Sequence, residues 1–280
     1  MKDAKLEKIQ SQVRKKAVAV NLEAQIVMQN YCFERFIERV ALSPYRNHFI
    51  LKGGFLIAAV VGIDNRATMD IDATLKNYPL EKESLEKLLA DVIAVELDDG
   101  MRFEIKWIRD IRAEDEYSGY RTQIIAVMGK MRVPLKIDIS TGDAITPKEI
   151  EYQYKLMFED RTLNIMAYNL ETIIAEKLEC IISRAQFNSR LRDYYDTYIL
   201  WKLKKDDISI AVLKSALTET TIHRGTATLM NNWQNVLAQI ENSKEIKALW
   251  GAYQNKFDYA NGIGVEDVFK IIRTILNEVA

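Results

Sequence analysis

The chain has 280 residues, 48% apolar and 28% charged, with a net charge of −1. That composition is globular, sufficient for one large or two ordinary domains with a real core. It excludes a chain-wide electrostatic grip on nucleic acid, so any basic footprint is local. No apolar run reaches the ~20 residues that cross a bilayer, and the charged start, "MKDAKLEKIQSQVRKK", has no apolar signal core. A cytoplasmic location is expected. Two cysteines, Cys32 and Cys180, sit in apolar helical contexts and read as core thiols, not a disulfide framework. Two histidines, His48 and His223, are too few and too far apart for a zinc site, and no G-x-S-x-G occurs.

In chain order, residues 3–42 read as two helices, the second ended by Ser43-Pro44. Phe49 to Leu51 is a short apolar lead into Gly53-Gly54, and Phe55 to Val61 is a short buried helix. Met69 to Lys76 alternates like a strand, with Asp70, Asp72 and Thr74 on one side and Ile71, Ala73 and Leu75 on the other. "LEKESLEKLLADVIAVEL" is an amphipathic helix. "MRFEIKWIRDI", "YRTQIIAVMGK" and "MRVPLKIDIS" read as strands, with a hairpin at Gly129-Lys130. Two short extended pieces follow, near residues 152–158 and 162–168, and the rest reads as helices, with Asn261 to Gly264 a loop before the last. The pattern is α+β, a mixed sheet flanked by helices and followed by a helical C-terminal half, with domains at 1–169 and 170–280.

Asp70 and Asp72 share a strand face about 7 Å apart. Two such carboxylates repel unless a cation joins them or one takes a proton. An oxygen-only pair suits Mg²⁺, which completes its shell with phosphate and water. A third carboxylate, Asp138, lies in the strand "LKIDIS"; if that strand pairs beside the first, three aspartates meet and can hold two metal ions. Taken alone, a D-x-D on a strand is more readily a solvated polar face. The glycines upstream alter that balance, because a Gly-Gly turn opening a helix presents backbone N–H groups to phosphate oxygens.

"LKGGFLIAAVVGIDNRATMDIDATL" resembles the signature of the DNA polymerase β-type nucleotidyltransferase superfamily. More closely, the chain resembles the AbiEii/AbiGii family of type IV toxin–antitoxin and abortive-infection toxins. Asp138 matches that family's third carboxylate, Lys177-Leu178 its lysine motif, and "RLRDYYD" supplies Arg190, Asp193 and Asp196 at the spacing of its last motif. The resemblance implies a nucleotidyltransferase-type sheet, with the helical C-terminal domain completing the active-site cleft. It implies NTP as substrate, two Mg²⁺ ions on Asp70, Asp72 and Asp138, and a cognate antitoxin. Gly53 and Gly54 would hold phosphate through backbone amides, since Gly54 stands where many members have serine. Arg66 and Thr68 would orient the aspartates or touch phosphate, or are simply turn residues. Lys177 would reach the triphosphate, and Asp193 and Asp196 would position nucleotide or acceptor. Arg190 would fork onto a phosphate; a salt-bridged helix face is the plainer reading of these residues.

The acceptor implied is RNA such as tRNA. Residues 176–205 carry seven Lys or Arg against four Asp or Glu, a surplus that is also ordinary on a helix, and Tyr194, Tyr195 and Tyr198 are candidates for base stacking, although helical spacing favours core packing for at least one of them. Transfer to a small molecule or a protein, and a silent nucleotide-binding role, are the alternatives.

Overall fold

A computed structural model describes residues 2–111 and 119–280. The chain divides into two compact units, Met1–Asp143 with Ile150–Ala167, and Ala144–Glu149 with Tyr168–Ala280.

The first unit opens with helices α1 (Lys2–Ala19) and α2 (Ala24–Leu42). Strand β1 (Phe49–Lys52) runs directly into α3 (Gly53–Val61), followed by β2 (Asp70–Leu75) and α4 (Lys82–Ile93). Then come β3 (Arg102–Ile111), β4 (Gly119–Met128), β5 (Met131–Thr141), β6 (Ile150–Lys155) and β7 (Thr162–Ala167). The apolar lead at Phe49 is thus a full strand, because its backbone pairs antiparallel with β2. Seven described strands form one mixed sheet, ordered β3-β4-β5-β2-β1-β7-β6. β2 lies parallel to β5, with Ile71 opposite Ile137 and Asp72 opposite Asp138.

Alternation divides this sheet into two chemistries. Ile71, Ala73, Leu75, Leu135, Ile137 and Ile139 are at most 1% exposed. Helix α2 packs over that apolar side: Phe36 meets Phe49 and Phe103 edge-on, at centroid distances of 6.4 and 5.9 Å. Each fully buried ring or aliphatic side chain of this kind contributes roughly 1.5–3 kcal/mol. The opposite side of β3, β4 and β5 is polar and carries Arg102, Glu104 and Arg132 as an exposed ion triple at 2.8 and 2.5 Å.

Helix α2 also buries charges that its apolar spacing does not announce. Glu34, Arg35, Glu38 and Arg39 are each at most 3% exposed. Arg35 bonds Glu34 at 2.7 Å and Glu159 at 2.8 Å. Arg39 forks onto Asp99 at 2.8 and 3.0 Å, donates to the Met101 carbonyl at 2.8 Å, and stacks on Phe103. Buried charge survives only when paired and hydrogen-bonded.

The second unit is helical: α5 (Leu170–Arg184), α6 (Leu191–Lys204), α7 (Ile210–His223), α8 (Ala227–Met230), α9 (Trp233–Asn242), α10 (Lys244–Lys256) and α11 (Val265–Val279). Asn169 caps α5 by accepting from the Thr172 amide at 2.7 Å, the type of contact that fixes a helix start. Cys32 and Cys180 are buried and unbridged. No helix among the described residues is long and apolar enough to cross a membrane.

Arg39→Ala strands Asp99 and the Met101 carbonyl in the core. Urea unfolding is expected to register a loss of about 3–5 kcal/mol; a loss below about 1 kcal/mol would mean the fork onto Asp99 contributes little.

Candidate active site on the central strands

The site is built where β1 turns into α3. Gly53 has φ +64°, in the left-handed region, and a Cβ there would overlap the Asp72 carboxylate. Glycine at 53 therefore lets the Asp72 oxygens rest on the backbone that opens α3, at the positive end of the helix. At Gly54 a Cβ would lie 2.8 Å from Arg66 Nη2 and 2.9 Å from Thr68 Oγ1. The space of a serine side chain is thus already filled by Arg66 and Thr68, which are 3% and 1% exposed. The hydroxyl missing from position 54 is present on Thr68, which donates to Asp70 Oδ1 at 2.9 Å.

Asp70 and Asp72 project from the same side of β2, and the parallel register sets Asp138 beside Asp72 and Lys136 beside Asp70. All three aspartates share one sheet face. Arg121, opposite Asp138 on β4, donates through Nε and Nη2 to both Asp138 oxygens at 2.9 Å each. Lys136 Nζ lies 3.6 Å from Asp70 Oδ2 and 3.4 Å from Asp138 Oδ2. These cations offset the repulsion that three clustered carboxylates would otherwise carry. No group of three or more acidic, His or Cys side chains among the described residues is arranged to hold a metal ion. The donors that fit Mg²⁺ best are Asp70 and Asp72, since Asp138 has both oxygens on Arg121.

Lys52, the last residue of β1, lies opposite Asp72. Its Nζ donates to Asp143 Oδ2 at 2.7 Å and Ser140 Oγ at 2.8 Å. Asp143 has a 1% exposed side chain. Burial pushes its pKa up, but Lys52 and the neighbouring hydroxyls outweigh that, and the net shift is below the ordinary 3.8. Sequence reasoning missed Lys52, Arg121, Lys136 and Asp143. The first three occupy strand positions in phase with the aspartates, a signal that becomes readable once the strand pairing is known.

In the second unit, α5 and α6 bring Lys177, Asp193 and Asp196 together. Lys177 Nζ is 2.6 Å from Asp193 Oδ1 and 3.7 Å from Asp196 Oδ2. Asp196 is fully buried and Asp193 nearly so. Arg190 is the residue just before α6, at ψ 69°, so it precedes the helical turn that carries the two aspartates. Its chain position is exposed and outside the helical repeat. The stacking reading of Tyr194, Tyr195 and Tyr198 is overturned. They are 0%, 1% and 7% exposed. Tyr194 packs against Phe269, and Tyr195 against Tyr253 and Tyr259, so their rings are core.

A mixed sheet carrying a Gly-Gly turn and in-register aspartates is the arrangement expected of a nucleotidyltransferase. The sequence model described as "Nucleotidyl transferase AbiEii toxin, Type IV TA system" matches residues 35–270, and the chain belongs to that family. Its fold is similar to that of an H. pylori crystal structure described as a "putative nucleotidyltransferase" (TM-score 0.50, 16% identity, 92% of this chain and 97% of that one). The crystal structure of JHP933 from Helicobacter pylori also aligns, at TM-score 0.49 and 16% identity, over 92% of this chain and 94% of that one. Among curated proteins none matches.

Two expected outcomes test this site's construction. Gly54→Ser drives a side chain into Arg66 and Thr68 and is expected to lower stability by about 1–3 kcal/mol. Adding Thr68→Ala to it should recover part of that loss, so a double-mutant cycle reads a coupling of at least about 0.5 kcal/mol; strict additivity would refute the overlap. Asp143→Asn should destabilise near neutral pH, by up to about 3 kcal/mol, because Lys52 loses its buried partner. A depressed acid contributes stability above its unfolded pKa and loses it as pH falls through the folded value. The gap between variant and native protein should therefore close below about pH 4 in urea titrations taken at successive pH values.

Proposed function

We propose that this toxin-family transferase moves a nucleotide from an NTP to an RNA acceptor such as tRNA, with Mg²⁺ as its metal. The observation that carries the proposal is the register that groups Asp70, Asp72 and Asp138 beside the Gly53-Gly54 turn. Asp70 and Asp72 would hold Mg²⁺, and Asp138 would share a second ion by yielding an oxygen now held by Arg121. Bound Mg²⁺ neutralises triphosphate charge and polarises the phosphoryl oxygens. The amides at Gly53 and Gly54 cradle phosphate. Thr68 keeps Asp70 oriented through its hydroxyl, and the buried Arg66 supports Gly54 from beneath. A hydroxyl of the acceptor attacks the α-phosphorus: a new P–O bond forms, the bond to the β-phosphate oxygen breaks, pyrophosphate leaves, and Asp138 takes the proton. Lys177 offsets triphosphate charge as a compact ammonium, Asp193 and Asp196 hold that lysine and position nucleotide or acceptor, and Arg190 meets phosphate. Little covalent chemistry falls to the protein, so positioning and charge neutralisation carry the rate. A cognate antitoxin restrains the activity, as the family's toxin–antitoxin membership supports.

Purified protein, Mg²⁺ and each α-³²P-labelled NTP in turn, incubated with total tRNA, should transfer label to RNA. Asp70→Asn and Asp72→Asn should each lower incorporation at least about 100-fold. Label on protein instead would move the acceptor class to a polypeptide, and label retained by both variants would remove the carboxylates from the mechanism.

A further inference from the structure

The polar face of β3, β4 and β5 continues outward from the carboxylates. Arg121 and Lys136 are the first side chains of this face, and their own are 41% and 38% exposed. One strand further out, the ladder sets Trp107 opposite Gln123 and Arg109 opposite Arg121. Trp107 Nε1 donates to Gln123 Oε1 at 3.0 Å, which fixes the indole on the sheet. The Arg109 guanidinium lies 4.7 Å from the Trp107 ring centroid, and Arg109 is exposed. A β-bulge between Ile105 and Trp107 resets the phase of β3, which is what turns Trp107 and Arg109 to the aspartates' face. Arg132, with a 54% exposed side chain, lies further along β5 on that face, where it and Arg102 share the Glu104 carboxylate that a phosphate would replace.

We infer that this strip is the docking surface for the single-stranded end of the RNA acceptor, with Trp107 stacking on a base and Arg109, Arg132 and Lys136 meeting phosphates. The inference rests on the RNA-acceptor reading above. Four features favour a polyanion with flat bases. The strip is rich in arginine in a chain of net charge −1, so its charge is concentrated and not a general property. An aromatic ring with an arginine against it is the combination that holds single-stranded nucleic acid. The strip is continuous with the reacting carboxylates: β3 lies three strand spacings from β2, about 14 Å, within reach of a short run of nucleotides. The alternative aromatic-basic surface on α6 is closed, because its tyrosines are core.

The test uses the full chain and a 5′-fluorescein single-stranded RNA of about 12 nucleotides with a free 3′ hydroxyl, followed by anisotropy between about 50 and 200 mM salt. Trp107→Ala and Arg109→Ala are each expected to raise Kd about tenfold. Arg109→Ala should also flatten the logarithmic salt slope by about 0.7, one phosphate contact on a single strand. Trp107→Phe, which keeps a ring, should hold Kd within about threefold. Lys202→Ala/Lys204→Ala, on α6, should stay within about twofold of native. Thermal unfolding run in parallel identifies any variant that binds poorly because it is unfolded. Native-like binding by folded Trp107→Ala and Arg109→Ala overturns the inference, as does an equal loss in the α6 variant. The two readings separate through the native protein. If it neither binds nor labels any RNA, the acceptor reading falls and this surface with it. If it labels RNA and the folded strip variants keep the native KM for RNA, the surface alone falls.

Discussion

The rest of the molecule depends on the parallel pairing of β2 with β5. Side chains on a strand alternate, so one register setting decides two things together. It puts Ile71 against Ile137 beneath α2, and it puts Asp72 against Asp138 on the other face. A slip of one residue would send carboxylates into the aromatic core around Phe36 and expose the isoleucines. Burying the two carboxylates of β2 unpaired costs far more than any ladder hydrogen bond returns. The apolar face therefore enforces the geometry of the polar one, and the site inherits its placement from the hydrophobic core.

Three clustered aspartates need compensation in their own right. Arg121 and Lys136 provide it from adjacent ladder positions, and Thr68 orients Asp70 from the turn before the strand. Gly53 and Gly54 are required on different grounds. The first admits the Asp72 carboxylate onto a left-handed backbone, and the second leaves room for Arg66 and Thr68. The space beside Gly54 is occupied by Arg66 and Thr68 because the loop before β2 folds back over the start of α3, and the Thr68 hydroxyl there serves Asp70. Lys52 closes the arrangement from β1 by holding Asp143 and Ser140.

The helical unit shows the same principle with the opposite outcome for sequence reasoning. Spacing alone leaves Tyr194, Tyr195 and Tyr198 open to a surface role, and burial removes it. Tyr194 packs toward α11 and Tyr195 toward α10, Tyr198 is buried as well, and a side chain in a packed core has no free face to offer a base. The aromatic-basic pairing that the sequence suggested on a helix is found on a strand, at Trp107 and Arg109, where no periodicity drew attention to it.

By itself the sequence determined the order and type of most elements up to Asn169, the helical character beyond it without the individual helices, and the shared face of Asp70 and Asp72. It also carried the family signature around Gly53-Gly54. These are local properties, written in apolar period, turn residues and alternation within one strand. Only the tertiary structure decided what depends on partners distant in the chain. Such are the pairing that sets Arg121 on Asp138, the filling of position 54 by Arg66 and Thr68, the ionic network buried by α2, and the bulge that turns Trp107 toward the carboxylates. The physical reason is that ladder partners and core neighbours are chosen by packing between segments far apart in sequence, and no single segment's periodicity encodes which neighbour it will meet.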